Sequence, residues 1–184
     1  MTRAIAGIVL AAAFAAAASA QSMVVIGESP EARCFDNARW GRAFQSSIQP
    51  CDEALASDSL PLRDRQRTLV NRAVINLHLG LAEMALSDLQ SAVDLGFDSP
   101  EIEMNRSAAL IRLERYEEAV AAATRALEAG LRDEEKAYFN RAVAHERLGR
   151  IAEAYDDFRA AAAAAPNWDQ PRQQLARFSV SRAS

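Results

Sequence analysis

One tripeptide recurs along this chain and constrains its fold more than any other feature. Asn71-Arg72-Ala73 returns as Asn105-Arg106-Ser107 and again as Asn140-Arg141-Ala142, at intervals of 34 and then 35 residues. Each copy lies in one helix-forming run that is followed by a second such run. An interval of this length is typical of stacked helical hairpins, each of which buries its apolar face only against its neighbours. The repeat therefore predicts an all-α solenoid.

Composition and charge agree with a soluble globular protein. Half of the 184 residues are apolar and a quarter are charged, which is an ordinary balance for such a chain. The formal net charge is −4, and the 21 Lys and Arg are dispersed among 25 Asp and Glu. Because nucleic-acid binding needs a concentrated basic surface, we expect no nucleic-acid partner.

Residues 1–20 have the pattern of a secretory signal peptide. Arg3 supplies the positive end, residues 5–18 form an uncharged apolar run, and Ala18-Ser19-Ala20 places small residues where a signal peptidase cleaves. The run is shorter than the ~20 residues needed to cross a bilayer. We expect cleavage after Ala20, a periplasmic or secreted protein, and no membrane span in the mature chain. The short, alanine-rich form of the segment indicates a bacterial export signal.

The two cysteines of the chain, Cys34 and Cys51, are expected to form a disulfide. Disulfides form in the oxidising compartments to which exported proteins travel, and two cysteines make one pair. Closing a loop of this length could stabilise the fold by about 3 kcal/mol. A zinc site is the competing interpretation, but zinc takes four ligands, and His78 and His145 lie far along the chain. We expect no metal site.

Breaks in the helical pattern divide the chain into segments. Ser29, as a capping hydroxyl, and Pro30 predict the start of the first helix. The residues after the third repeat predict a last helix, in which Trp168, Leu175 and Phe178 cover the end of the stack. The predicted segments are a signal peptide at 1–20, a flexible lead-in at 21–28, a degenerate hairpin at 29–60, three repeats within 61–168 (about 66–99, 100–134 and 135–168), and a capping helix with a tail at 169–184.

Small residues recur at equivalent places in the three repeats, and they carry a resemblance to a known family. Positions are counted from the first residue of each repeat, at 66, 100 and 135. The small residues are Ala73, Ser107 and Ala142 at position 8, Ala85, Ala119 and Ala154 at position 20, and Ala92, Ala126 and Ala161 at position 27. In this the chain resembles the tetratricopeptide repeat (TPR), a helix-turn-helix unit of 34 residues. At position 24 the middle repeat departs from the family, because Ala123 is small where Leu89 and Phe158 are large. The resemblance implies a right-handed solenoid in which packing around Ala123 is looser.

In TPR proteins the first helices of the repeats line a concave groove that holds extended peptides or partner helices. The resemblance implies that an asparagine at position 6 of each repeat faces this groove, and in some members such asparagines bind a peptide's backbone, since an amide both donates and accepts. The alternative is that each asparagine bonds a neighbouring helix. The residues that the resemblance implies for partner binding are Asn71, Asn105, Asn140, Val70, Val74, Met104, Phe139 and Val143.

Charged residues occur in two places, near the groove and inside the hairpins, and each group has its own interpretation. Basic side chains near the groove would favour an acidic partner or are merely solvated; they are Arg67, Arg112, Lys136 and Arg147. Arg72 and Arg141 precede Asp88 and Asp157 by sixteen residues, which predicts a salt bridge inside each of those hairpins. In the middle repeat, Arg106 has Ala122 at that place.

No arrangement in the sequence suggests catalysis. His78 and His145 fall at non-equivalent positions of different repeats, and no nucleophile, base and orienting group come together. We therefore expect a non-enzymatic protein without a cofactor. The leading hypothesis is a periplasmic scaffold that binds a peptide or protein partner in its groove. The alternative is a self-associating structural or assembly protein of the cell envelope, and the sequence leaves the oligomeric state open.

Overall fold

The computed structural model describes residues 28–42 and 44–179. The predicted signal peptide at 1–20 and residues 21–27 of the predicted lead-in lie outside the described residues, as do residues 180–184 of the predicted tail. Within the described ranges the regular structure is entirely helical, as the repeat predicted. The helices are α1 (Pro30–Arg39), α2 (Gln49–Leu55), α3 (Leu62–His78), α4 (Ala82–Asp94), α5 (Pro100–Arg112), α6 (Tyr116–Glu128), α7 (Glu134–Arg147), α8 (Ile151–Ala164) and α9 (Asp169–Ser179).

Three helical hairpins, α3 with α4, α5 with α6, and α7 with α8, form the body of the stack. The small residues predicted to allow close approach of the helices are buried without exposed surface in all three hairpins. Short side chains at a crossing let two helix backbones come close, so their apolar stripes meet without voids. Successive hairpins also pack on one another, most extensively through α6 with α7.

The turn inside each hairpin needs a residue in the left-handed conformation. Gly80 has φ 79° between α3 and α4, and Gly149 has φ 74° between α7 and α8. The equivalent residue of the middle hairpin is Glu114, with φ 59°. A side chain with a Cβ is disfavoured in this region, by about 1 kcal/mol or more. The middle hairpin therefore departs from its neighbours in its turn as well as at Ala122 and Ala123, although Ala123 is fully buried.

The N-terminal hairpin of α1 and α2 is held by the predicted disulfide. Cys34 and Cys51 are bonded, with their Cα atoms 4.8 Å apart, and both are fully buried. They form a small apolar cluster with Ile75 of α3, which docks the hairpin on the first repeat. The prediction for Ser29 was wrong in one respect: it precedes α1, but its hydroxyl makes no capping hydrogen bond, because extended backbone followed by Pro30 starts the helix without it.

The last helix, α9, packs against the far end of the stack, and Trp168 immediately precedes it. Phe178 lies 5.9 Å, between ring centroids, from both Phe158 and Tyr155, and Leu175 belongs to the same cluster. Trp168 contacts Phe139, with the ring centroids 4.9 Å apart and the ring planes inclined at 46°. The opposite face of α9 is exposed and polar, which keeps the end of the solenoid soluble.

Candidate functional site

A cleft with a volume of about 720 Å³ lies where α1 approaches α3 and the start of α5. Four apolar side chains form much of its wall, namely Ala32, Phe35, Val70 and Phe97. Thr68, Asn71 and Ser99 add polar atoms. We call it the Asn71 cleft. Its volume falls within the roughly 300–1,000 Å³ of ordinary ligand sites.

The charges that line the Asn71 cleft are mainly acidic. Glu31 of α1, Asp64 of α3 and Glu101 of α5 contribute carboxylates, against the single guanidinium of Arg67. Among the described residues no ion pair engages Arg67, and none engages these three acids. The cleft therefore combines apolar walls with a net negative rim.

The three repeated asparagines have different surroundings. Asn140 donates its amide to the Ser107 hydroxyl at 2.9 Å and to the Met104 carbonyl at 3.4 Å, which is the helix-to-helix use that the sequence left as the alternative. Asn71 lines the cleft and Asn105 is 9% exposed. No side-chain hydrogen bond joins Asn71 or Asn105 to another described residue. The amide of Asn71 is therefore open to a ligand in the cleft, that of Asn105 is largely buried without a side-chain hydrogen bond, and that of Asn140 is partly engaged.

The apolar residues that the resemblance implied for partner binding are dispersed among several clusters. Only Val70 shares the cleft with Asn71. Val74 packs against the disulfide-bonded hairpin, and Met104 packs beside Ala126, Leu131 and Ala137. Phe139 contacts Phe158 and Trp168, and Val143 belongs to the same cluster.

Residues from α1 and from the α4–α5 connection complete the cleft, and sequence reasoning missed them. Phe35 and Ala32 come from α1, and Phe97 comes from the α4–α5 connection. One signal was available: Cys34 is buried, so the adjacent Phe35 must point in another direction on the helix. That α1 lies along α3 could not be read from spacing.

At the far end of the groove, α9 narrows the space beside α7. A pocket of about 580 Å³ is lined by Val143, Glu146, Arg147, Gln174 and Arg177. Arg177 pairs with Glu146 at 2.6 Å. Its guanidinium therefore ties α9 to α7 across this pocket.

The predicted salt bridges inside the first and third repeats are confirmed. Arg72 donates two hydrogen bonds to Asp88, at 2.6 and 3.0 Å, and Arg141 donates two to Asp157, at 2.7 and 2.8 Å. Both aspartates are buried. These hydrogen bonds raise the pKa of each guanidinium. The pairs join the two helices of a hairpin, which is a structural role.

His145 lies beside the second of these pairs and gives a pH-dependent contribution to stability. Burial lowers its pKa below the ordinary 6.5, although Asp157, 4.0 Å away, acts in the opposite direction. Arg141 and Arg150 also lower this pKa, and Glu153 raises it. The unfolded chain therefore takes up a proton at higher pH than the folded protein, and stability falls as pH falls through the unfolded value.

We expect the free energy of unfolding of the wild-type protein to decrease when the pH is lowered from about 8 to about 5.5, and that of His145→Gln to decrease less over that range. Urea unfolding followed by circular dichroism at both pH values measures the difference. His78→Gln, on the exposed side of α3, is the matched control for the loss of a histidine. An identical pH dependence in His145→Gln and the wild type would contradict this assignment.

The described residues provide no metal centre and no membrane span. No group of three or more His, Cys, Asp or Glu in the described ranges is arranged to hold a metal ion. None of the helices in this part of the chain is both long and apolar enough to cross a bilayer.

Known structures and one family model resemble the chain. Residues 135–168 match the model of the tetratricopeptide repeat, and no curated protein sequence matches the chain. The TPR domain of Arabidopsis OM64 is 23% identical with a TM-score of 0.59, over 64% of this chain and 96% of that one. MamA from Desulfovibrio magneticus RS-1 is 14% identical with a TM-score of 0.65, over 85% of this chain and 86% of that one.

A third similar structure contains a ligand. It is the second TPR domain of human RPAP3 in complex with an HSP70 peptide, 22% identical with a TM-score of 0.57, over 65% of this chain and 98% of that one. At these identities the likeness concerns the fold alone. TPR proteins are generally non-enzymatic scaffolds for protein–protein interaction. The chain therefore has the fold of tetratricopeptide repeat domains, and its third hairpin matches the model of that repeat.

Proposed function

We propose that this protein is an exported scaffold that captures an extended peptide segment of a partner protein in its groove, with the Asn71 cleft as the anchor. The observation that carries the proposal is the cleft itself, in which an apolar wall lies beside an amide without an internal partner. An apolar side chain of the ligand enters the cleft, and the amides of Asn71 and Asn105 bond its backbone. Such an amide can serve both the donor and the acceptor of a peptide bond.

The rim charges indicate which peptides fit. With Glu31, Asp64 and Glu101 against Arg67, the Asn71 cleft favours an apolar anchor residue flanked by lysine or arginine. An acidic segment such as the HSP70 peptide bound by RPAP3, whose sequence is SGPTIEEVD, would meet repulsion there. We therefore propose a neutral or basic ligand, in contrast to the acidic one that the basic residues near the groove suggested.

Export to an oxidising compartment is part of the proposal. The disulfide between Cys34 and Cys51 supports it, because such bonds persist in secreted and periplasmic proteins and are rare in the cytosol. The signal-peptide pattern of residues 1–20 supports it independently.

A substitution inside the cleft tests the proposal. Peptides are selected from a random library against residues 21–184, and the affinity of the best is measured by calorimetry. We expect Val70→Asp to weaken binding by at least about tenfold, because a carboxylate in an apolar contact is desolvated without a partner. Val93→Asp, at an exposed position of α4 outside the cleft, is the matched control. Selected peptides that bind Val70→Asp and the wild type equally would contradict the proposal.

The asparagines provide a second arm of the same experiment. The double variant Asn71→Ala/Asn105→Ala should retain the helicity of the wild type and bind the selected peptides more weakly. Asn140→Ala removes an interhelical hydrogen bond instead, so it should lower stability with little change in affinity. If Asn140→Ala weakens peptide binding and the double variant does not, then Asn140, rather than Asn71 and Asn105, contacts the ligand.

Self-association is the second candidate function, and one observation favours it. Three aromatic side chains of the N-terminal hairpin and its turn are exposed: Phe35 by 48%, Trp40 by 67% and Phe44 by 70%. Exposed apolar groups that cluster on a surface often mark an interface. Sedimentation at several concentrations separates the candidates, since a monomer throughout excludes self-association.

A further inference from the structure

The middle repeat has the arginine of the internal salt bridge without its carboxylate. Arg72 and Arg141 each hold an aspartate sixteen residues further on, but Arg106 has the fully buried Ala122 there. Its remaining contacts are long, at 3.3 Å to Glu103 and 3.4 Å to Gln90. Of the three equivalent arginines, Arg72, Arg106 and Arg141, Arg106 alone has no bidentate carboxylate partner among the described residues.

Arg106 instead lines a pocket of about 410 Å³ between α4, α5 and α6, which we call the Arg106 pocket. Leu86 and Leu110 supply apolar wall, and two further arginines, Arg115 and Arg125, border it. The Arg106 pocket shares no lining residue with the Asn71 cleft. It is therefore a separate site.

The acids near the Arg106 pocket are already engaged. Arg115 forms two hydrogen bonds of 2.7 Å with Glu118, and Arg125 forms two with Glu103, at 2.6 and 2.9 Å. Three guanidinium groups therefore face two carboxylates, which leaves an excess of positive charge. The free hydrogen-bonding capacity belongs to Arg106, whose side chain is 24% exposed.

We propose that the Arg106 pocket binds the carboxylate of an acidic side chain on a partner protein. The ligand would supply from outside the group that Asp88 and Asp157 supply inside the first and third repeats. A guanidinium binds a carboxylate through two parallel hydrogen bonds, and partial burial strengthens the pair relative to one in open solvent. The long contact with Glu103 costs little to break, because weak ion pairs at a surface contribute little.

The test follows the side-chain Nε–Hε signals of the arginines by NMR at constant ionic strength. The probes are a blocked dipeptide of glutamate, sodium succinate and inorganic phosphate. We expect the Arg106 signal to shift on addition of the dipeptide and of succinate, and Arg106→Gln to abolish binding. Ala122→Asp places an internal carboxylate at the sixteen-residue spacing, and should weaken binding by about tenfold or more through competition for Arg106.

Matched controls are Arg132→Gln and Ala152→Asp, which make the same charge changes at exposed positions outside the pocket. Both should bind the dipeptide as the wild type does. Binding that survives in Arg106→Gln overturns the proposal. A protein that binds succinate or phosphate but does not bind the dipeptide also overturns it, because its ligand would be a free anion rather than a protein side chain. If Ala122→Asp does not fold, as judged by circular dichroism, Arg106→Gln decides the result alone.

Discussion

Replacing Phe158 by alanine is expected to lower the free energy of unfolding by about 3–5 kcal/mol, which is the usual cost of emptying a fully buried aromatic position. Phe158 has no exposed surface. Its ring lies 5.4 Å from Phe139 of α7 and 5.9 Å from Phe178 of α9, so it joins three helices at the end of the stack. Urea unfolding followed by circular dichroism measures the loss.

The size of the effect follows from how little the surroundings can move. Ala142 and Ala154, in the same cluster, already hold α7 and α8 at the distance that small side chains allow. The helices cannot close further around the missing ring, so a cavity remains. Tyr155→Ala is the matched control: it is on the same helix and also contacts Phe178, but it is 41% exposed. A loss in Phe158→Ala no larger than in this control would show that the cluster is not the stabilising contact we describe.

Features with a local signal in the sequence could be predicted. The spacing of apolar residues, with glycine and proline at the ends, indicated the helices. The recurrence of alanine at three places in each repeat indicated where the helices touch. The salt bridges between Arg72 and Asp88 and between Arg141 and Asp157 followed from one constant spacing. In each case both partners lie within one hairpin, so knowledge of the hairpin sufficed.

The different environments of the asparagines depend on the preceding repeat. Asn140 finds the hydroxyl of Ser107, but the residue equivalent to Ser107 in the first repeat is Ala73, which offers Asn105 no side-chain acceptor. This difference was present in the sequence. It becomes informative only when the contact between position 6 of one repeat and position 8 of the preceding one is known.

The Asn71 cleft could not be predicted from the repeats alone. It requires α1, a segment outside the repeats, to lie across α3 at a particular place. That placement comes from the packing of Ile75 against the cysteine pair, a contact between segments far apart in the chain. The repeat pattern describes contacts within and between repeats, and it carries no information on how a degenerate hairpin docks.

The same docking makes the disulfide a determinant of ligand binding as well as of stability. The double variant Cys34→Ala/Cys51→Ala should lose about 3 kcal/mol of stability, the value expected from releasing a loop of this length in the unfolded chain. It should also bind the selected peptides more weakly, because α1 supplies Glu31, Ala32 and Phe35 to the cleft. A helix as short as α1 is not stable by itself in water, so its position depends on the contacts that hold it.

Hydrogen exchange of the α1 amides, stability and peptide affinity should be measured on the same variant. We expect faster exchange in α1 with little change in α7 and α8, since a solenoid transmits stability mainly between neighbouring hairpins. A reductant should reproduce these effects in the wild type and have none in the double variant, which separates loss of the bond from loss of the sulfur atoms. If peptide affinity is unchanged while α1 exchanges faster, then α1 does not form a wall of the binding site, and the ligand must contact the groove elsewhere.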